Sequence, residues 1–95
     1  MYDPRQIIIR PIVSEKSMAL MENENRYTFE VHKDATKPHI AAAVEEIFGV
    51  TVLDVNTMRV KGKPRRVRYA KGLTRTWKKA IVTLAAGDQI ELFTS

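Results

Sequence analysis

Two strand-like segments on either side of a segment without apolar pattern constrain the fold of this chain most. Residues 50–60 are rich in Val and Thr and contain neither Gly nor Pro, which is typical of a β-strand. Residues 80–84 alternate apolar Ala80, Val82 and Leu84 with other side chains, which predicts a second strand. Residues 61–75 between them contain two Gly and one Pro and show no apolar periodicity. We therefore expect an antiparallel hairpin with a long structureless loop, at about residues 61–76.

The first of these strands has an ambiguous pattern. Val50 and Val52 share one face of an ideal strand, whereas Leu53 and Val55 share the other. Either both faces are partly covered, or a β-bulge changes the register within the strand.

Most of the positive charge lies in and around the same loop. Residues 59–79 hold ten of the sixteen basic side chains and no acidic one, so the other 74 residues carry a net charge of −5. An acidic body with one strongly basic segment indicates a polyanionic partner. The alternative is a solvated loop that serves only solubility. The basic residues are Arg59, Lys61, Lys63, Arg65, Arg66, Arg68, Lys71, Arg75, Lys78 and Lys79.

Upstream of the hairpin, the sequence predicts two further strands. Ile7–Ile9 is a short β-branched run, and the Arg10–Pro11 step favours extended backbone. Apolar Tyr27, Phe29 and Val31 then alternate with polar residues, a pattern typical of a half-buried strand.

A first helix is predicted to begin after Ser14, whose hydroxyl can accept a hydrogen bond from a first-turn N–H. The helix dipole favours a negative charge in the first turn, where Glu15 lies. Val13 and Met18 have the spacing of a hydrophobic staple. We expect the helix to end near Glu22.

A second helix is the best-defined element of the pattern. Thr36 is its expected N-cap, Pro38 fits the first turn, and Gly49 fits the left-handed position that ends a helix. The expected core stripe recurs at helical spacing and consists of Ile40, Ala43, Val44, Ile47 and Phe48.

Taken together, the 95 residues predict a single α+β domain in the order β-α-β-α-β-β. Two helices would pack on an antiparallel sheet, and a long basic hairpin loop would extend from it. A turn at Ala86–Asp88 would lead to a short extended piece at Ile90–Phe93.

Several functional classes lack support. The chain has no Cys, and its two histidines, His32 and His39, fall on different predicted elements, so no metal site or other cofactor is expected. Glu45 and Glu46 are adjacent on one helix, which separates them by about 100° and suits a solvated face better than a catalytic pair. No apolar run approaches the ~20 residues that span a bilayer, and the N-terminus lacks a signal-peptide pattern. We expect a cytoplasmic protein that is not an enzyme and does not insert into membranes.

The basic segment has features suited to RNA. Lys and Arg side chains gain affinity for nucleic acid by releasing condensed counterions. Tyr69 and Trp77 are interleaved with these charges, and aromatic rings can stack on unpaired bases. For Trp77 an alternative is equally open, in which the indole covers the sheet edge instead of contacting RNA.

Five short motifs resemble, in order and spacing, those of the ribosomal protein L23 family of the large subunit. Each is weak alone, but together they extend from about residue 7 to residue 92. The long basic hairpin loop resembles the bacterial form. One residue departs from the family pattern: His39 stands where many relatives have an acidic residue that completes a capping box with Thr36. The motifs are Pro11-Ile12-Val13-Ser14-Glu15-Lys16, Lys33-Asp34-Ala35-Thr36-Lys37, Val55-Asn56-Thr57, Val60-Lys61-Gly62-Lys63 and Trp77-Lys78-Lys79-Ala80.

The resemblance implies a small α+β domain bound to large-subunit ribosomal RNA beside the polypeptide exit tunnel, with neighbouring ribosomal proteins as further partners. It also implies a docking surface for the trigger factor chaperone and the signal recognition particle. The Val-Ser-Glu-Lys motif assigns that surface to Ser14, Glu15 and Lys16.

Two other functions compete with this hypothesis. A free-standing basic module could bind acidic proteins or membrane surfaces, but a membrane binder would place its charges on an amphipathic helix, and the Gly and Pro residues of 61–75 disfavour one. A small hydrolase would need a nucleophile–base pair, and the sequence shows none.

Overall fold

A computed structural model describes residues 3–61, 64–66, 71–73 and 76–90. Within those ranges the chain forms three helices and six strands, and the predicted α+β class is confirmed. The helices are α1 (Pro4–Ile7), α2 (Glu15–Glu24) and α3 (Lys37–Phe48). The strands are β1 (Ile8–Pro11), β2 (Arg26–Val31), β3 (Val52–Val60), β4 (Pro64–Arg66), β5 (Lys71–Leu73) and β6 (Trp77–Leu84).

The main sheet is antiparallel and has the strand order β1-β2-β6-β3. Strands β3 and β6 pair from Val52–Leu84 to Val60–Trp77, which confirms the predicted hairpin. Strand β6 therefore lies in the centre of the sheet, between β2 and β3, and its side chains meet neighbours on both sides.

The expectation that the hairpin loop is structureless is wrong. Strands β4 and β5 pair antiparallel, with Pro64 opposite Leu73 and Arg66 opposite Lys71. The periodicity rules read apolar side chains, whereas a ladder is held by backbone hydrogen bonds that any non-proline residue can make. We call residues 61–76 the basic arm.

The hydrophobic core lies between α3 and one face of the sheet. Ile40 and Val44 of α3 are fully buried together with Phe29 and Val82 of the sheet. The rings of Phe29 and Phe48 stack at a centroid distance of 5.7 Å. Burial of this apolar area is the main stabilising term of the fold.

One residue of the expected core stripe, Ile47, is not buried in the core. Ile47 is 41% exposed and lies beside Pro4 and Arg5 of α1, at the margin of the core. Helix α1 was not predicted: Ile7, assigned to the first strand, ends this short helix instead. Asp3 caps it by accepting a hydrogen bond from Arg5 N.

Both outer strands contain a register shift, and each shift leaves one apolar residue exposed. In β3 the shift falls between Val52 and Asp54, so the bulge alternative is confirmed and Leu53 is 65% exposed. In β1 it falls between Ile8 and Arg10, and Ile9 is half exposed.

Strand β2 is buried on both faces, which corrects the expectation of a half-buried strand. Tyr27, Phe29 and Val31 face the core, and Thr28 and Glu30 on the opposite face are also buried. Since Glu30 carries a charge, its burial requires a partner.

The predicted helix caps are confirmed. Ser14 accepts from Ser17 N at the start of α2, and Gly49 ends α3 with φ 65°. Helix α2 ends at Glu24, two residues beyond the expected Glu22, and Asn25 caps it in a left-handed conformation. Thr36 caps α3 by accepting from His39 N, and His39 Nδ1 lies 2.8 Å from Thr36 Oγ1.

The C-terminal end of the described chain packs on the core. The turn at Ala86–Gly87 is present, and Ile90 is buried, with its N–H donating to the hydroxyl of Tyr27. The extended piece expected at Ile90–Phe93 lies mostly outside the described residues.

Candidate nucleic-acid interface and partner surface

The basic arm lies between the end of β3 and the start of β6. Val60 pairs with Trp77 as the last residue pair of the main sheet, so Arg59, Lys61, Lys78 and Lys79 lie around the root of the arm. Arg59 and Lys61 are exposed, and the two lysines of β6 are half-buried.

The strand alternation sends Lys78 and Lys79 to opposite faces of the sheet. Lys78 lies on the face of α3, where its Nζ donates a 2.6 Å hydrogen bond to the carbonyl oxygen of Ala35. Lys79 lies on the other face, in register with Glu30 of β2 and Met58 of β3. Only Lys79 therefore shares a face with Trp77.

Trp77 is half-buried, and one side of its indole is covered by an arginine. The guanidinium carbon of Arg10 lies 5.9 Å from the ring centroid, within the range of a cation–π interaction. The same guanidinium donates through Nε to Glu30 Oε1 at 2.8 Å, which supplies the partner that the buried carboxylate requires. The structure thus joins Trp77 to the sheet; its predicted stacking on RNA stays a prediction.

The sequence pattern did not single out Arg10. Its partners lie on β2 and β6, and the pairing of β1 with β2 in this register depends on the bulge at Ile9. Alternation rules within one strand carry no information about such a bulge, so the contacts of Arg10 with Glu30 and Trp77 follow only from the pairing of the whole sheet.

Several predicted RNA-binding residues fall beyond what the structure describes. For Arg65, Arg66 and Lys71 it gives the backbone of β4 and β5 but no side-chain surroundings. Lys63, Arg68, Tyr69 and Arg75 lie outside the described residues.

The predicted partner surface is at the N-terminus of α2, where Ser14, Glu15 and Lys16 are all exposed. Ser17 completes a capping box: its Oγ accepts from Ser14 N at 2.7 Å, while Ser14 Oγ accepts from Ser17 N at 3.2 Å. Ser17 is 4% exposed and was not predicted from the sequence, because capping boxes usually carry Glu or Gln at this position.

Val13 extends this surface. It is 61% exposed, so the predicted staple with Met18 leaves most of it in contact with solvent. An apolar side chain next to an exposed carboxylate on a rigid, doubly capped turn is a suitable contact point for a protein partner.

Comparison with known proteins identifies the family. The model of the family described as "Ribosomal protein L23" matches residues 6–92. The "Large ribosomal subunit protein uL23" of Herpetosiphon aurantiacus is 59% identical over 91 residues, which cover 92% of each chain. The proteins of the same name from a Roseiflexus species and from Aquifex aeolicus are 56% and 55% identical; the first match covers 96% of both chains, the second 94% of this chain and 89% of its relative.

This chain belongs to the ribosomal protein L23 family.

Membership of the ribosomal protein L23 family makes the chain a structural ribosomal protein and not an enzyme. The matched residues span nearly all of the described fold, from α1 through the basic arm and β6 to Ile90. Within the described residues, no helix is long and apolar enough to cross a membrane.

Proposed function

We propose that this member of the ribosomal protein L23 family binds large-subunit ribosomal RNA through its basic arm and the sheet around the root of that arm. The observation that carries the proposal is the concentration of ten basic and no acidic side chains at residues 59–79 in a chain of this family. The relatives named above are called large-subunit proteins, which supports the same placement for this chain.

The side chains of the basic segment suit RNA binding. Arg59 and Lys61, at the root of the arm, are exposed, so their charges are accessible to phosphate. Arg side chains can bind phosphate with two parallel hydrogen bonds, and Lys side chains act as point charges.

We further propose that the protein is ribosome-bound in the cytoplasm, beside the polypeptide exit tunnel, and that the start of α2 is a docking site for trigger factor and the signal recognition particle. The family resemblance implies this location and both partners. Exposed Glu15 and Val13 beside the rigid Ser14–Ser17 cap support a protein contact here, since a carboxylate repels phosphate and attracts a cationic protein surface.

The RNA proposal is tested by the salt dependence of binding. The full chain is titrated with a transcript of the large-subunit ribosomal RNA at several salt concentrations. If about five or six cations meet phosphates, log affinity should fall against log salt with a slope of roughly −4 to −5. Replacing Arg65, Arg66 and Arg68 with Ala should reduce the magnitude of the slope by about two to three.

A matched triple variant provides the control. This variant carries Ala at three basic positions outside the basic arm, Arg5, Arg26 and Lys33. It removes the same formal charge and should leave the slope near that of the unmodified protein. Equal slopes for the two triple variants would contradict a specific role of the arm.

A further inference from the structure

The cluster of Arg10, Glu30 and Trp77 lies on the face of the sheet opposite α3 and is not needed for the core described above. Glu30 is fully buried, and its carboxylate accepts from Arg10 Nε. The Arg10 side chain is nonetheless 56% exposed. The guanidinium is therefore fixed at its inner edge and open to solvent at its outer edge.

The donors of Arg10 are divided in the same way. A guanidinium has five N–H groups, and the bond to Glu30 uses the one on Nε. In the part of the chain that the structure describes, no hydrogen bond from either Nη atom is found. Trp77 limits the motion of the group from one side, so its Nη edge is presented to solvent in a defined orientation.

The surroundings of this edge favour an anion. Lys79 lies in register with Glu30 on the far side from Arg10, so a cation flanks the buried carboxylate on each side. With strands about 4.8 Å apart, the two backbones are separated by about 10 Å. Trp77 precedes Lys79 by two residues on the same face, which places the cluster at the root of the basic arm.

We propose that Arg10 is a phosphate-binding residue, positioned by Glu30 and Trp77, that extends the RNA contact from the basic arm onto the sheet. The inference rests on the proposed binding of large-subunit ribosomal RNA. A planar guanidinium whose Nη edge is free and pre-oriented loses little side-chain entropy when it binds a phosphate with two hydrogen bonds. Glu30 does not compete for the ligand, because it is buried behind the guanidinium.

The simplest variant, Arg10→Gln, is not decisive alone, because it leaves a buried carboxylate without its charged partner and can destabilise the fold. The test therefore compares Glu30→Gln with the double variant Arg10→Gln/Glu30→Gln. Both lack the buried charge, and they differ only at Arg10. Thermal unfolding establishes that both are folded at the temperature of the RNA titration.

We expect the double variant to bind the large-subunit ribosomal RNA transcript about tenfold more weakly than Glu30→Gln, as for the loss of one charge-assisted contact. The magnitude of its salt slope should be lower by about 0.7–0.9. Arg26→Gln is the matched control: Arg26 lies on the same face of β2, four residues or about 13 Å from Glu30, and should not change the slope.

Equal affinities and slopes for Glu30→Gln and the double variant would show that Arg10 serves only as the counterion of Glu30, and would overturn the inference. A slope lowered equally by Arg26→Gln would also overturn it, because the effect would then be one of net charge. If the unmodified chain does not bind the transcript, or if its affinity does not depend on salt, the proposed function itself is contradicted.

Discussion

The ammonium group of Lys78 donates a hydrogen bond to the carbonyl oxygen of Ala35, a residue with no exposed surface. This 2.6 Å bond ties the start of β6 to the loop that precedes α3. Lys79, the next residue, points to the other face and makes no such bond within the described residues. Two adjacent lysines in the basic segment therefore differ in their structural role.

Replacing each of these lysines with Met should separate stability from RNA binding. Lys78→Met should lower the free energy of unfolding by about 1–2 kcal/mol, because the buried carbonyl of Ala35 loses a charged donor. Lys79→Met should lower it less, because Lys79 makes no such hydrogen bond within the described residues, and should reduce the RNA salt slope more than Lys78→Met does. Denaturant unfolding and salt titration measure the two effects; similar results for both variants would contradict the distinction.

Glu15→Ala should weaken the chaperone contact and leave the fold intact. A first-turn Glu contributes about 0.3–1 kcal/mol through the helix dipole, so the loss of stability should not exceed about 1 kcal/mol. We expect trigger factor to bind ribosomes that carry the variant at least tenfold more weakly, a loss of about 1.4 kcal/mol, with normal incorporation of the variant. Glu22→Ala removes an exposed carboxylate from the same helix and should bind normally. Unchanged affinity for Glu15→Ala would leave this residue with a helix-dipole role alone.

Ser17→Ala tests whether the rigid start of α2 matters to the same contact. The change removes the acceptor of Ser14 N and the bond from Ser17 Oγ to Ser14 O, and should destabilise the protein by about 1 kcal/mol. Thr36→Ala removes the cap of α3 and should cost a similar amount. Only Ser17→Ala should weaken trigger factor binding. If both variants weaken it equally, general loss of stability is the cause.

Asn25 links the end of α2 to the end of β6 through its side chain and has an unusual backbone conformation. It adopts φ 54°, and its side-chain amide donates to the carbonyl oxygens of Leu84 and Ala85. Asn25→Gly should cost about 1 kcal/mol through the lost hydrogen bonds, whereas Asn25→Ala should cost roughly 1–2 kcal/mol more because a Cβ disfavours this backbone conformation. Chemical denaturation of the two variants checks the order, and equal costs would show that the backbone conformation contributes nothing.

The sequence predicted those parts of the fold that depend on local chemistry. Helix α3 was predicted between Thr36 and Gly49 because the apolar period, the cap and the left-handed terminus all lie within one short segment. The strands β3 and β6 were predicted from Val and Thr content and from apolar alternation, which are also local features of the sequence. The bulge at Leu53 remained one of two alternatives, since the residue pattern alone does not show which face is covered.

What the sequence did not predict depends on contacts between distant segments. Arg10 and Glu30 are twenty residues apart, and their ion pair exists only in one register of β1 against β2. The position of Trp77 beside this ion pair depends in turn on the pairing of β6 with β2 and β3. Ser17 was also not predicted. Its role as a cap partner depends on its side-chain geometry, which a Ser in the sequence does not indicate by itself.

The bulge at Leu53 has a consequence for how this chain can change in evolution. Because side chains alternate along a strand, the extra residue of the bulge reverses the face of the sheet to which each side chain from Asp54 to Val60 points. Loss of one residue from that interval would turn Val55 outward and send its polar neighbours into the core. A change in the length of β3 therefore keeps the core only if it adds or removes an even number of residues, or if a bulge takes up the odd one.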